Sequence, residues 1–417
     1  MYSIIAKPLS VQASDMNSAG RRGYNKPCSN KQGIQFSGLL RPLAKALCIV
    51  TLACAPAVYA AKSSSQALSV PAEMSPLAQH SLLLDAANAG SRLVAVGQFG
   101  HILYSDDEGA SWTQAQVPVS STLTALYFVD EQYGWAVGHE GVVLATTDGG
   151  HSWQQQLNGL EINKLGLDLA QTLLTYPAEH DGEVPAGIHP DLSAEDFEML
   201  EMDAADFYAE GASRPLMDVW FKNKNEGLIV GAYGLILRTI DGGNSWTPGF
   251  DKLYNIDNFH YYGIVPAPTQ QHPDALILIG EAGLLHRSLD SGLTWEALES
   301  PYEGSFFGGL YNPASNDLLV YGLRGNLYRS SDLGTTWQTL DSNTTASIFD
   351  GDVLADGSML LVGSAGLQMT LDSATLAAKP DFSPRRTPYS AVTVSPSGKV
   401  LLAGLRGIEL ISDQESH

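Results

Sequence analysis

Cysteine is almost missing from the part of this 417-residue chain that can fold. All three, Cys28, Cys48 and Cys54, lie in the first 60 residues. No disulfide can brace the body beyond them, so packing must hold it together. Positive charge is scarce too. The first 60 residues carry seven Lys/Arg against one acid, Asp15, which leaves 16 basic and 44 acidic residues beyond, a net of −28. So acidic a body argues against nucleic acid and against anionic membrane surfaces as partners, and high solubility is its simplest consequence. The ten His show no metal spacing such as His-x-x-x-His. Also missing are a Gly-x-Ser-x-Gly elbow and a phosphate-binding P-loop, and no cysteine is available as a nucleophile. The sequence therefore predicts no catalytic residue, no metal and no small-molecule cofactor.

Long hydrophobic runs are lacking as well. The one candidate, Ala46 to Ala55, follows Arg41 and Lys45 and precedes Val58-Tyr59-Ala60. It is too short to span a bilayer and reads as a secretory signal cleaved after Ala60. Residues 1–60 are thus a leader, and 61–417 an exported body bound for the periplasm or the extracellular space. Thr51-Leu52-Ala53-Cys54 is a poor lipobox, which leaves a lipid anchor at Cys54 a minor alternative.

What the chain does have is glycine in a fixed order. Residues 94–112 run as an apolar stretch, Gly97-x-x-Gly100, a second apolar stretch, then Ser105-x-Asp107-x-Gly109-x-x-Trp112. The order returns with Asp148, Asp241, Asp290 and Asp332, followed by Trp153, Trp246, Trp295 and Trp337. Two worn copies, at Gly363/Gly366 and Gly404/Gly407, bring the total to seven. The first glycines stand at 97, 138, 231, 280, 322, 363 and 404, a period near 40 with one long gap. Such a period, with several short strands per unit, predicts an all-β fold, a seven-bladed β-propeller. The Ser/Thr-x-Asp-x-Gly-x-x-Trp turn is the Asp-box, or BNR repeat. Its Asp recurs in unit after unit, so it is expected to cap a turn and not to do chemistry.

The long gap is an insertion, residues 157–214, between blades 2 and 3. From Glu161 to Glu210 it holds thirteen acids and one Lys. Ser193-Ala194-Glu195-Asp196 resembles a helix start, after which Phe197, Leu200, Ala204, Phe207 and Tyr208 share one helical face. A second helix is expected from Glu161 to Leu174. Blade 7 stops after its third strand near Ile408 to Ile411. The alternating stretch from Gln66 to Val70 is the candidate for its missing partner, so residues 66–72 are expected to close the ring.

In a four-stranded blade the Gly-x-x-Gly hairpins share one face with the insertion, and the Asp-boxes lie on the other. The hairpin tips vary, and loops on a rigid ring are where binding residues gather. The candidates are Phe99, His139, Glu140, Tyr233, Arg324 and Arg406. Asp-boxes also occur in sialidases, whose glycoside chemistry needs clustered arginines and a Tyr nucleophile. Nine arginines follow the leader, and Arg238, Arg287 and Arg329 sit at one repeat-specific position before a box. A sialidase-like glycoside hydrolase is the enzyme alternative.

Trp135-Ala136-Val137-Gly138-x-x-Gly141, followed by Thr146-Thr147-Asp148-Gly149-Gly150-His151-Ser152-Trp153, is more specific than a bare box. So is Leu126-Tyr127-Phe128-Val129-Asp130 ahead of it. These residues resemble the photosystem II stability/assembly factor family of seven-bladed propellers, over about 85–417. The resemblance implies a non-enzymatic assembly factor that holds protein partners, with a membrane complex as the expected partner.

Overall fold

The computed structural model describes residues 66–180 and 185–411. The leader, with its cleavage position and Cys54, lies outside them. Seven antiparallel sheets follow one another along the chain, six of four strands and one of three. The inner strands are Leu83–Ala89, Leu123–Phe128, Leu216–Phe221, Tyr261–Pro266, Phe306–Asn312, Ile348–Val353 and Tyr389–Val394. Each packs against the next, and the seventh against the first, so the sheets are blades of a closed seven-bladed propeller.

The second strand of each blade shows why the sequence reads as it does. Gly134–Gly138, Gly227–Gly231, Leu276–Gly280 and Met359–Gly363 are buried at every position. A strand with a blade on either side has no solvent face, so both faces are apolar. One core fills each of the seven seams between blades. At the seam between blades 2 and 3, Trp135 lies flat on Phe221 with ring centroids 3.4 Å apart, and Trp246 meets Phe221 edge-on at 6.1 Å. Each fully buried Leu, Ile or Val in these cores stabilises by about 1.5–3 kcal/mol.

The first glycine of Gly-x-x-Gly is required by close approach. At Gly97 a Cβ would collide with the Leu82 carbonyl oxygen, and at Gly404 with that of Pro388. The end of the second strand thus touches the chain entering the inner strand, which leaves no room for a side chain.

The Asp-box turns repeat one hydrogen-bond pattern. In blade 4, Ser288 Oγ donates to Asp290 Oδ1 at 2.8 Å and accepts from Gly292 N at 2.8 Å. Asp290 Oδ1 accepts from Leu293 N at 3.1 Å and Thr294 N at 2.9 Å, and Oδ2 from Thr294 Oγ1 at 2.7 Å. The bonds to the Ser/Thr hydroxyl and from the second residue after Gly recur at Asp107, Asp148, Asp241 and Asp332. The box glycine holds φ between 83° and 88° in all five, where only glycine is relaxed. The donors favour the charged carboxylate. Hydrogen bonds from Ser111 and Ser105 bring Asp107 down to about 2.

A second set of carboxylates works inside the ring. Asp85 Oδ2 accepts from Leu126 N at 2.7 Å and Asp218 Oδ2 from Ile264 N at 2.7 Å. Asp350 Oδ2 accepts from Val392 N at 2.9 Å and Asp352 Oδ2 from Val394 N at 2.8 Å. Each fastens one inner strand to the next. Burial opposes charge at two of them. Burial in the narrow centre pushes the Asp85 carboxyl well up, with the Asp350 and Asp218 charges adding to it, although the Leu126 and Ala86 N–H groups pull it down. Burial also raises Asp352.

Residues 66–72 do not pair with the third strand of blade 7, contrary to expectation. They run along the outer edge of blade 1. Ala67 O accepts from Ser120 N at 2.9 Å, and Ala72 N donates to Val117 O at 3.0 Å. The Gln114 side chain then donates to Glu73 O and accepts from Ser75 N, both at 2.9 Å. Leu68 and Ala72 pack on the core between blades 1 and 2, and the Ser69 and Val70 amides turn back onto Gln66 O. The alternation of Leu68 and Val70 is misleading: the segment makes a turn closed on Gln66 O, and Val70 stays exposed while Leu68 packs inward. The ring closes through side chains instead. Leu83, Leu93, Ala95 and Leu103 of blade 1 pack with Ala391, Leu401 and Ala403 of blade 7, and Asn88 Nδ2 donates to Val394 O at 2.8 Å.

Two predictions follow from the two carboxylate sets. Asp290→Ala strands two backbone N–H groups in a half-buried turn and should lower stability by about 1–3 kcal/mol, read as a fall in Tm; an unchanged Tm would contradict the capping role. Asp85 and Asp352 give a pH dependence opposite to that of the box carboxylates. A carboxyl whose folded pKa is raised binds protons more tightly in the native state, so stability grows as pH falls through that raised value. The box carboxylates, held below 3.8, lose their contribution as pH drops from there toward about 2. Asp85→Asn keeps an acceptor for Leu126 N while removing the charge. The variant also loses the acceptor for Ala86 N, so the pH profile is the check: the gain in Tm on mild acidification should flatten, and an unchanged gain would count against this account.

Candidate functional site

The insertion forms two helices, α1 (Gly159–Glu179) and α2 (Ala194–Glu210), packed against each other. Both start with a capping box: Asn158 with Glu161, and Ser193 with Asp196. α1 is longer at both ends than the expected span, and Asn158 caps it so that it starts at Gly159 instead of Glu161. On α2, Phe197 and Ala204 are buried and Leu200 packs beside them, but Tyr208 turns outward, 52% exposed. Asn163 ties the pair to the ring. Its Nδ2 donates to Phe207 O at 2.7 Å and Gly211 O at 2.6 Å, and its Oδ1 accepts from Arg214 Nη2 at 2.8 Å. Burial pulls the Arg214 guanidinium down to about 10, against the attraction of Glu210. A cavity of about 50 Å³ remains where Gly166, Phe207 and Arg214 face Leu237 of blade 3, enough for bound water.

The hairpin tips share one strained geometry. Phe99, Glu140, Tyr233, Ala282, Arg324 and Ala365 all sit at φ between 52° and 63°. Non-glycine residues there cost about 1–2 kcal/mol each. Arg406 stands outside this set, because blade 7 turns directly from Leu405-Arg406 into its third strand.

The structure brings some of the candidate residues together and separates others. Tyr233, 46% exposed, has its ring 5.6 Å from Phe207 of α2 and 4.7 Å from His260. From His260 the contacts continue to Tyr262 at 6.0 Å, then Phe307 at 5.7 Å, then Phe349 at 5.8 Å. One run of rings thus links the helical cap to the inner strands of blades 4, 5 and 6, and each such pair adds about 0.5–1.5 kcal/mol beyond burial. Glu281, at the tip of blade 4, has its carboxylate 3.2 Å from His260 Nδ1. His260, Tyr262 and Glu281 were not among the sequence candidates, although Phe259-His260-Tyr261-Tyr262 is a visible aromatic cluster at the start of a blade.

His139 and Glu140 lie under the start of the insertion. Gly159 packs on Gly141, and the Glu140 Oε2 atom is buried. Burial lowers the His139 pKa, against the Glu140 charge. Phe99 is exposed, with its ring 5.9 Å from His101, and Arg324 and Arg406 are exposed on blades 5 and 7. Among the described residues no ring contact or hydrogen bond joins these three to one another. The arginines before the boxes turn to acids of their own blades: Arg238 to Glu226 at 3.6 Å, Arg287 to Glu296 at 2.7 Å and Arg329 to Asp317 at 2.6 Å. Among the described residues no group of three or more His, Cys, Asp or Glu is placed to hold a metal ion. No helix among them is long and apolar enough to cross a membrane.

These features define a seven-bladed Asp-box propeller with a helical cap on its hairpin face. The chain belongs to the photosynthesis system II assembly factor YCF48 family, whose profile matches residues 104–167 and 202–386. It is 44% identical over 45 residues to the chloroplast photosystem II stability/assembly factor of Guillardia theta, a stretch covering 10% of this chain and 11% of that protein. It is 35% identical over 43 residues to the photosystem II assembly protein of Thermosynechococcus vestitus, covering 10% and 12%. The matched stretches thus span about a tenth of these relatives' own length. Among solved structures, one described as YCF48 bound to D1 peptide superposes with a TM-score of 0.55 at 16% identity, covering 83% of this chain and all of that one. YCF48 from Cyanidioschyzon merolae gives 0.55 at 16%, covering 80% and 96%. A streptogramin B lyase gives 0.56 at 11%, covering 82% and 97%. At these identities the likeness concerns the fold.

Proposed function

We propose that this protein is exported and acts, without catalysis, as an assembly factor that holds a subunit of a membrane complex on its hairpin face. Family membership supports an assembly role, and the structural relative described as bound to D1 peptide supports a protein segment as ligand. The observation that carries the reading is Tyr233. It is held at φ 55° between Phe207 of the cap and His260 of blade 4, and still presents about half of its surface. Strained, half-exposed aromatic side chains on rigid turns are typical anchors of protein interfaces. Phe99, Arg324 and Arg406 extend the same face around the ring. Membership of a photosystem II factor family makes a photosynthetic complex the first partner to test.

Tagged protein should capture its partner from detergent-solubilised membranes of the source organism. Tyr233→Ala and Phe99→Ala together should weaken that capture by about tenfold or more at unchanged Tm, since anchor aromatics contribute about 2 kcal/mol or more. Full capture by the double variant would remove the hairpin face from consideration. The leader carries the export half of the reading. The mature protein should be recovered outside the cytoplasm with its N-terminus just after Ala60, and a retained leader on a cytoplasmic protein would refute export.

A further inference from the structure

The third strand of blade 7, Gly407–Ile411, ends its sheet. In blade 6 the corresponding strand, Leu367–Leu371, carries a fourth, Ala378–Phe382, running antiparallel, with Leu371 opposite Ala378 and Leu367 opposite Phe382. The fourth strand thus delivers its C-terminal end to the hairpin-tip side. Blade 7 has no such strand among the described residues, and none of them pairs with the outward backbone groups of Gly407–Ile411, which form an edge open to them.

Where that C-terminal end would arrive, a groove of about 740 Å³ opens, with Arg385, Arg406, His80, Tyr389 and Glu409 on its walls. Among the described residues Arg385 and Arg406 have no ion-pair or hydrogen-bond partner, whereas Arg92, Arg238, Arg287 and Arg329 are each held by an acid. The one acid of the lining, Glu409, accepts from the Tyr389 hydroxyl at 2.8 Å. The groove is therefore cationic on a body of net negative charge. It is also closed ahead. Gln79 and His80 sit directly over Gly407, as Arg386 and Thr387 do over Gly366 in blade 6. A strand entering along Gly407–Ile411 finds its path into the ring already taken by Gln79 and His80, and the two arginines line the place where its end would lie.

We propose that the open edge of blade 7 receives the extended C-terminal segment of a partner protein as its fourth strand. The guest lies antiparallel to Gly407–Ile411, and Arg385 and Arg406 hold its terminal carboxylate. Main-chain pairing supplies affinity, and the arginines select a free chain end. The proposal rests on the protein-binding reading above and names where the end of the partner docks.

The test uses the mature protein and a fluorescein-labelled octapeptide of alternating Thr and Val with a free carboxylate. One control is the C-terminal amide, and another carries N-methyl groups on alternate residues, which removes the pairing N–H groups. Anisotropy should show the amide binding about tenfold more weakly or worse, and the N-methylated peptide not at all. The double substitution Arg385→Gln, Arg406→Gln should bring the free acid down to the level of the amide, and bound peptide should slow hydrogen exchange at residues 408–411. Equal binding of acid and amide, binding of the N-methylated peptide, protection elsewhere, or no binding at about 1 mM would each overturn the proposal. So would a peptide-free dimer that protects the same amides, which would assign the edge to a second copy. Capture of a membrane subunit that persists while peptide binding fails would sink this inference and leave the broader reading standing.

Discussion

Every blade of this propeller must be buried on two faces at once, and the rest of the structure answers to that requirement. A single four-stranded sheet of this composition has no solvent side for its second strand. Seven such sheets satisfy one another only as a closed ring, each seam filled by its own core. The glycines that end the second strands let the chain pass close beside the inner strand, and the Asp-boxes fix the turns far from the centre. The inner carboxylates add a tie that the repeat does not contain. Asp85, Asp218, Asp350 and Asp352 accept amide protons from the neighbouring blade at a site where like charges face one another. Connection across these seams is thus gained against electrostatic repulsion.

Much of the ring was legible in sequence because the repeat places residues under constraints that only one residue type meets. Gly97 and its equivalents, Gly109 and its equivalents, and the capped aspartates fall where the spacing put them. The helices of the insertion were legible too, through Asn158 and Ser193 as caps and the apolar face at Phe197 and Ala204. What failed was long-range pairing. The stretch from Gln66 to Val70 looks like a strand, yet its choice between the edges of blades 1 and 7 depends on Gln114 and Val117, some forty residues away. Candidate binding residues were picked tip by tip. Only contacts across blades show that Tyr233 belongs with Phe207 and His260, and that His139 and Glu140 lie beneath the insertion.

The hairpin tips show where the fold gives up local preference. Six non-glycine residues hold left-handed backbone at the same position of six blades. A glycine in that place would relieve the strain but would carry no side chain. Phe99, Tyr233 and Arg324 are thus presented outward by turns whose geometry the ring dictates. The insertion then modifies this common design at two blades, covering one tip and stacking Phe207 against another.

The seam between blades 7 and 1 differs from the others in kind. Ala78, Ala86, Ala95, Ala391 and Ala403 fill much of it, where the seam between blades 2 and 3 has Trp135, Phe221 and Trp246. Alanine removes little apolar area from water, and no fourth strand crosses over to clasp this joint among the described residues. Parting the ring at this joint exposes less apolar area than parting it between blades 2 and 3. The lifetime of the folded molecule, as distinct from its equilibrium stability, is then governed by the rate at which one alanine-rich joint parts. A ligand that bridges the joint slows that step, so a partnered copy outlasts an idle one.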